Sequence, residues 1–321
     1  MSDELGVTRQ TNTAPRERIA RWFFFTCASV SVVVTLGIVV VLVLGAVEFF
    51  RATAVPLGSA PEQTVRFTEY LLGTTWSPGG SPQSFGLLAP LSATVMLTIG
   101  SALIALPLGL ATAIYLSEYA SERKRAVLKP ALEILAGVPT VVYGYFALVY
   151  ITPAINAVVP FDLATFNLLS ACIVVGIMII PMVSSISEDA MSAVPDALRQ
   201  AGYGLGATKF DVSTSIVVPS AISGIVSAFI LALSRAIGET MAVAIASGSR
   251  SVLQNPLDPT AYIGPNSPIT AQMINLALGD ISARGPAYHA MFALGLTLFV
   301  VTLLMNLISD RIAQRYREVY Q

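Results

Sequence analysis

Residues 23–47 read FFFTCASVSVVVTLGIVVVLVLGAV, 25 positions without a charged side chain. A helix needs about 20 apolar residues to cross the hydrocarbon core of a bilayer, so this run is long enough to span. Its flanks resemble those of a signal peptide, with Arg16, Arg18 and Arg21 before it and Ala52, Thr53 and Ala54 after it. The apolar core of a signal peptide runs only about 7–15 residues, however. Glu48 and Arg51 also separate the run from the small-residue site. The run therefore reads as a retained membrane span.

Working outward, five more apolar runs follow, at 90–116, 130–151, 168–187, 219–247 and 287–309. The whole chain has 321 residues, 55% hydrophobic and only 12% charged, where soluble proteins carry about 25% charged residues. Soluble domains are excluded, and the fold class is an all-α integral membrane protein with six transmembrane helices. Pro107, Pro139 and Pro181 lie in or near these runs; a helix bundle tolerates them because neighbours satisfy the freed backbone groups. Small residues such as Gly100, Gly109 and Gly224 allow close helix contact.

Lys and Arg set the orientation, because cytoplasmic segments retain them. With six spans, Arg9, Arg16, Arg18, Arg21, Arg123, Lys124, Arg125, Lys129, Arg199, Lys209, Arg311, Arg315 and Arg317 all fall on one side. Only Arg51, Arg66, Arg250 and Arg284 fall on the other, a split of 13 against 4. Both termini are therefore expected to be cytoplasmic. The outer loops, about 51–89 and 248–286, are rich in Pro, Gly, Ser and Thr and long enough to dock a partner. Trp76 and Phe85 bracket a turn-rich stretch and read as interface anchors.

Little in the chain supports catalysis. Cys27 and Cys172 lie in apolar runs and read as small buried hydrophobes. The single histidine, His289, has no cluster of cysteines or carboxylates to complete a metal site, so helix-end packing suits it better. No Lys follows a Gly, so a phosphate-cradling G-x-x-x-x-G-K-[ST] loop is absent. Energy from ATP would have to come from a partner. Ion-driven carriers keep ionisable groups deep in their spans, and here these are few: Arg235, Glu239 and Glu133. Glu133 falls in the first turn of the third span, where the helix dipole favours a carboxylate.

The connection between the fourth and fifth spans is the most informative loop. Pro195 or Asp196 can start a short helix, Gly206 can end it in a left-handed turn, and Pro219 suits the first turn of the next span. A short helix projecting into the cytoplasm is a surface that an external motor can push.

That segment resembles the coupling loop of ABC importer permeases, E-A-A-x-x-x-G followed by I-x-L-P. Gln200, Ala201, Gly202 and Gly206 match it, then Ile216, Val217, Val218 and Pro219. Gln200 stands where the pattern has Glu, and Gly202 where it has Ala. The string SRAIGETMAV at 234–243 is similar to the fifth span of the phosphate permease subunits called PstC, and EILAGVPTVVYG at 133–144 to their third. This resemblance implies a MetI-like permease core over about 87–310 with a coupling loop at 188–218. A tail at 1–22, a first span with its outer loop at 23–86 and a tail at 311–321 complete the chain. It further implies a PstA-like second permease chain, two copies of an ATP-binding subunit that hold ATP and Mg, and an extracytoplasmic phosphate-binding protein. No cofactor is expected in this chain.

Arg235 and Glu239 are spaced i, i+4, which places them on one face of a continuous helix. Either the pair neutralises itself, or Arg235 faces the pathway and meets the anion with two parallel hydrogen bonds while Glu239 holds or gates it. Ser234 and Thr240 are candidate hydroxyl donors beside them. The resemblance implies transport roles for the charged pair. Sulfate or molybdate in place of phosphate, and transport without ATP, remain the alternative readings.

Overall fold

Apolar side chains drive these segments into helices; Pro107, Pro130 and Pro181 are carried inside helices, while Gly137 and Gly238 cap helix ends. The computed structural model describes residues 15–52, 65–160, 162–279 and 285–317. Arg9, Ala54 and Arg284 lie outside the described residues. Helix α1 (Pro15–Ala52) is exposed along most of its length and packs against the last helix, α14 (Pro286–Arg317). Their approach is close at Gly45, where an added Cβ would lie 2.4 Å from Phe292 Cγ. Cys27 is exposed on α1. This corrects the expectation of a buried thiol: an apolar span need not turn every small residue inward when lipid is its solvent. Cys172 is buried as expected.

After α1 come α2 (Phe67–Leu72) and a two-stranded antiparallel hairpin, β1 (Trp76–Ser77) with β2 (Ser84–Phe85). Trp76 pairs opposite Phe85, so both rings share one face. That face is buried with Phe49 and Tyr70, and Trp76 Nε1 donates to Gln272 Oε1 at 3.0 Å. The two aromatics are therefore core residues of an outer cap rather than interface anchors. Packing of the hairpin against Gln272 gives the indole N–H a buried acceptor, which removes its need for a wet interface.

Helix α3 (Leu88–Ile114) runs into a π-helical turn at Tyr115–Tyr119. Then follow α4 (Glu122–Ala136), α5 (Thr140–Phe146), a π turn at Ala147–Ile151 and α6 (Thr152–Asn156). Helix α7 (Leu168–Ser192) starts where Asn167 Oδ1 accepts the Ser170 N–H at 2.7 Å, a side-chain cap. It packs along α3 as the most extensive helix pair. Two glycines permit this: a Cβ on Gly100 would meet Cys172 Sγ at 2.6 Å, and one on Gly109 would meet Val183 at 2.6 Å.

Next come α8 (Asp196–Gly204), α9 (Lys209–Val212), a π turn at Ser213–Val217 and α10 (Val218–Ser220). Then follow α11 (Ile222–Ile237), α12 (Met241–Ala246), a 3-10 turn at Pro259–Tyr262, α13 (Ile269–Leu278) and α14. His289 packs between Tyr288 and Phe292 near the start of α14, as expected.

Among the described residues, four helices are long and apolar enough to cross a membrane uninterrupted, and six spans result when each of two bent pairs is one. The third and fifth runs are those bent pairs, which corrects the expectation of continuous helices. In the third, α4 and the segment Thr140–Asn156 meet at 87°. Pro139 disfavours helical backbone at the residue before it, and Gly137 ends α4. In the fifth, Lys209–Ser220 and α11 meet at 71°. Pro219 thus sits in α10 just before the bend, and the span starts afresh at Ile222.

Candidate functional site

Helix α11 ends at Ile237 and α12 starts at Met241, so Gly238, Glu239 and Thr240 form a break inside the fifth span. This break overturns the shared face expected for Arg235 and Glu239. The i, i+4 relation holds only within one helix, and here Glu239 lies in the break, beyond the end of α11. Glu239 is 5% exposed, and its Oε1 accepts the Ala242 N–H at 3.2 Å. A carboxylate at a helix start is favoured by the exposed N–H groups. The Glu239 carbonyl accepts the Thr270 hydroxyl at 2.6 Å, which ties α13 to the break.

The other candidate residues diverge as well. Ser234 Oγ donates to Asn306 Oδ1 of α14 at 3.0 Å, and Thr240 Oγ1 donates to the Gly238 carbonyl at 3.0 Å. Arg235 lies in the last turn of α11, a favourable place for a cation. Among the described residues it forms no ion pair. It lines a cavity of about 400 Å³ between α4, α7, α11 and the π turn after α3, together with Lys129, Glu133, Met178, Pro181 and Glu188. Of the four residues expected on the pathway, Arg235 alone borders this cavity.

Glu133 also requires correction. Helix α4 starts at Glu122, so Glu133 sits in its last turn rather than its first. The sequence boundary falls too late because the charged stretch 122–129, which hydropathy assigns to a loop, is helical too. The dipole at that end disfavours a carboxylate.

Beside the cavity lies an ionic network that the sequence reading missed. Glu188 is fully buried near the end of α7. Its carboxylate accepts from Arg125, from Lys129 Nζ at 2.7 Å and from Ser192 Oγ at 3.1 Å. Lys129 also reaches Asp189 at 3.0 Å. These contacts hold α4 against α7. In the sequence Arg125 and Lys129 bear only on orientation, because nothing in a single sequence pairs residues some 60 positions apart.

The segment expected to couple to a motor forms a distinct surface. Gln200 and Ala201 are exposed on α8 while Gly202 is buried. A Cβ on Gly202 would lie 2.6 Å from Ile216 Cδ1 and 3.0 Å from Val212 Cγ2, so the helix packs tightly onto the π turn. Gly206 has φ +84°, the left-handed turn expected there. Leu198, Tyr203 and Leu205 are exposed around it. Beneath, Met191, Val194, Val212, Val217, Ala221 and Ile225 bury a small core.

A family described as binding-protein-dependent transport system inner membrane component matches residues 105–318. The chain belongs to this family. The inner membrane component is 31% identical over 316 residues to the probable ABC transporter permease protein YqgH of Bacillus subtilis, covering 98% of this chain and 96% of that one. It is 32% identical over 267 residues to the phosphate transport system permease protein PstC of Mesorhizobium japonicum, covering 77% and 78%. Its fold is that of a bacterial alginate ABC transporter chain, solved with an alginate-bound periplasmic protein. The TM-score there is 0.61 at 14% identity, covering 94% of this chain and 96% of the other.

Proposed function

We propose that this chain is the permease subunit of an ATP-driven importer that carries inorganic phosphate across a prokaryotic cytoplasmic membrane. The observation that carries the reading is the match over some three quarters of the chain to a permease named for phosphate transport. The chain makes and breaks no covalent bond in this reading. Its partners are a PstA-like permease chain, two ATP-binding subunits that hold ATP and Mg, and an extracytoplasmic phosphate-binding protein. The transporting core is 87–310, with 188–218 as its coupling loop, and the tails at 1–22 and 311–321 are cytoplasmic.

In this mechanism the binding protein delivers phosphate to the outer cap. The ATP-binding subunits close on ATP and push α8, whose exposed Leu198 and Tyr203 offer apolar contacts. The bent third and fifth spans re-pack, and the pathway opens first to one side and then to the other. Arg235 meets the anion: a guanidinium matches phosphate oxygens with two parallel hydrogen bonds, and an ammonium does not. Glu239 holds the break in shape instead of pairing with Arg235.

The test is labelled phosphate uptake into vesicles with ATP inside and binding protein outside. Arg235→Gln is expected to lower uptake by about tenfold or more, the scale of one charge-assisted contact, with the complex still assembled. Arg235→Lys should restore little. Uptake without ATP would overturn the mechanism. Efficient competition by excess sulfate or molybdate would move the substrate to another oxyanion.

A further inference from the structure

We propose that Arg199 and Glu118 clamp α8 to the end of α3, so that a push on α8 moves α3 with it. The proposal rests on the reading of α8 as the surface an ATP-binding partner pushes.

The clamp is one guanidinium serving four acceptors on three elements. Arg199 Nη1 donates to the Val194 carbonyl at 2.5 Å and to Asp196 Oδ1 at 3.2 Å. Nη2 donates to the Met191 carbonyl at 2.8 Å and to Glu118 Oε1 at 3.1 Å. These groups belong to the end of α7, the start of α8 and the π turn that closes α3. The Arg199 side chain is 15% exposed and that of Glu118 5%. Ser117 Oγ also donates to Glu118 Oε1, at 3.0 Å, fixing the carboxylate.

A second tie reaches the same turn from α9. Lys209 Nζ lies over the Tyr119 ring at 5.1 Å, within cation–π range. Gly202 seats α8 on Val212 and Ile216, so α8 and α9 lean together on Tyr115–Tyr119. The link to α3 therefore does not run through the chain, since α4 to α7 lie between α3 and α8 in sequence. It runs through side chains across the fold.

The chemistry favours a mechanical role over a merely cohesive one. Withdrawing a carboxylate from water is costly, and a buried ion pair is weak as a source of stability. What it fixes well is register. Arginine presents five N–H donors in a rigid fork, and the four acceptors here need that fork. Lysine has a compact charge and cannot reach all four.

The test uses the assembled transporter with Glu118→Gln. This change keeps the shape of the side chain and leaves Arg199 its carbonyl acceptors at Met191 and Val194, so α8 stays tied to the end of α7. The expected result is binding-protein-stimulated ATP hydrolysis close to wild type, with uptake per ATP lowered by about tenfold, the scale of one lost charge-assisted hydrogen bond. Spin labels at Ala111→Cys on α3 and Ala197→Cys on α8, with Cys27 and Cys172 replaced, read the motion without any substrate. In the parent background their separation should stay the same with and without trapped ATP; in Glu118→Gln it should shift or broaden on ATP binding. Arg199→Lys, which keeps the charge and loses the fork, should uncouple in the same way.

A parent separation that changes with ATP would overturn the clamp. So would Glu118→Gln with uptake per ATP unchanged, or loss of assembly in both variants, which would make the pair structural only. Failure of phosphate uptake in the parent would instead count against the substrate reading and leave the label distances to decide the clamp.

Discussion

Replacing Glu188 by Gln isolates the charge that holds α4 against α7. The side chain is fully buried, and its two oxygens accept from Arg125, Lys129 and Ser192. A glutamine keeps one acceptor and turns the other into an NH₂ facing a cation, donor against donor. A net hydrogen bond to a charged group is worth about 1.5–3 kcal/mol. The cations keep access to water, with Arg125 40% and Lys129 29% exposed, so each rehydrates in part and the loss belongs at the lower end. We expect about 2 kcal/mol for Gln, below the roughly 3–5 kcal/mol of a wholly buried broken pair, and about 3 kcal/mol for Ala, at the foot of that range. At about 2–4 °C per kcal/mol, thermal unfolding of the purified complex in detergent should fall by about 4–8 °C for Glu188→Gln. An unfolding temperature within about 1 °C of wild type would refute the reasoning and mean that α4 is held by packing alone.

The helix contacts make a paired prediction. Gly100→Ala pushes a methyl to 2.6 Å from Cys172 Sγ, and overpacking of this kind costs about 1–3 kcal/mol. Adding Cys172→Ala removes the sulfur but leaves Cβ at 3.0 Å, so it should recover part of that loss in thermal unfolding. Gly109→Ala meets Val183 Cβ itself at 2.6 Å, so Val183→Ala should not rescue it. Gly206→Ala has open space around the new methyl but keeps φ at +84°. It should cost about 1–2 kcal/mol of backbone strain, and Gly206→Asn less, read by the same melt. In the outer loop, Asp258 accepts the Thr260 hydroxyl at 2.7 Å and its N–H at 2.9 Å, which hold its carboxyl below the usual range. A depressed folded pKa gives stability that is present above the unfolded value of about 3.9 and lost as pH falls through the folded one. Protection of the Thr260 amide, corrected for intrinsic exchange, should therefore hold from neutral pH down to about 4 and fade only as pH falls further, through the lowered folded value. In Asp258→Ala it should be absent throughout.

Several features could be read without coordinates because they depend on local chemistry. A charge-free run such as 23–47 has one stable solvent, and its length fixes one crossing. Gly206 was legible because a left-handed residue after a short helix is where glycine is cheapest, and its φ of +84° agrees. The short helix Asp196–Gly204 was legible because its start signal and the glycine that follows it lie close together in the chain. The breaks at Gly137–Pro139 and Gly238 were visible as residues but not as angles. A glycine or proline permits a bend, and only the packing of neighbouring helices sets it.

What tertiary structure alone decided was which charges meet. Sequence spacing paired Arg235 with Glu239 by helical periodicity, and the break at Gly238 sent one to a cavity and the other to a buried helix start. The same folding brought Glu188 to Arg125 and Lys129, and Glu118 to Arg199. Hydropathy is a sum over neighbours in the chain, so the sequence by itself determined that this is a six-span membrane protein. An ion pair is a distance between side chains on different helices. That distance exists only after the spans have bent and packed.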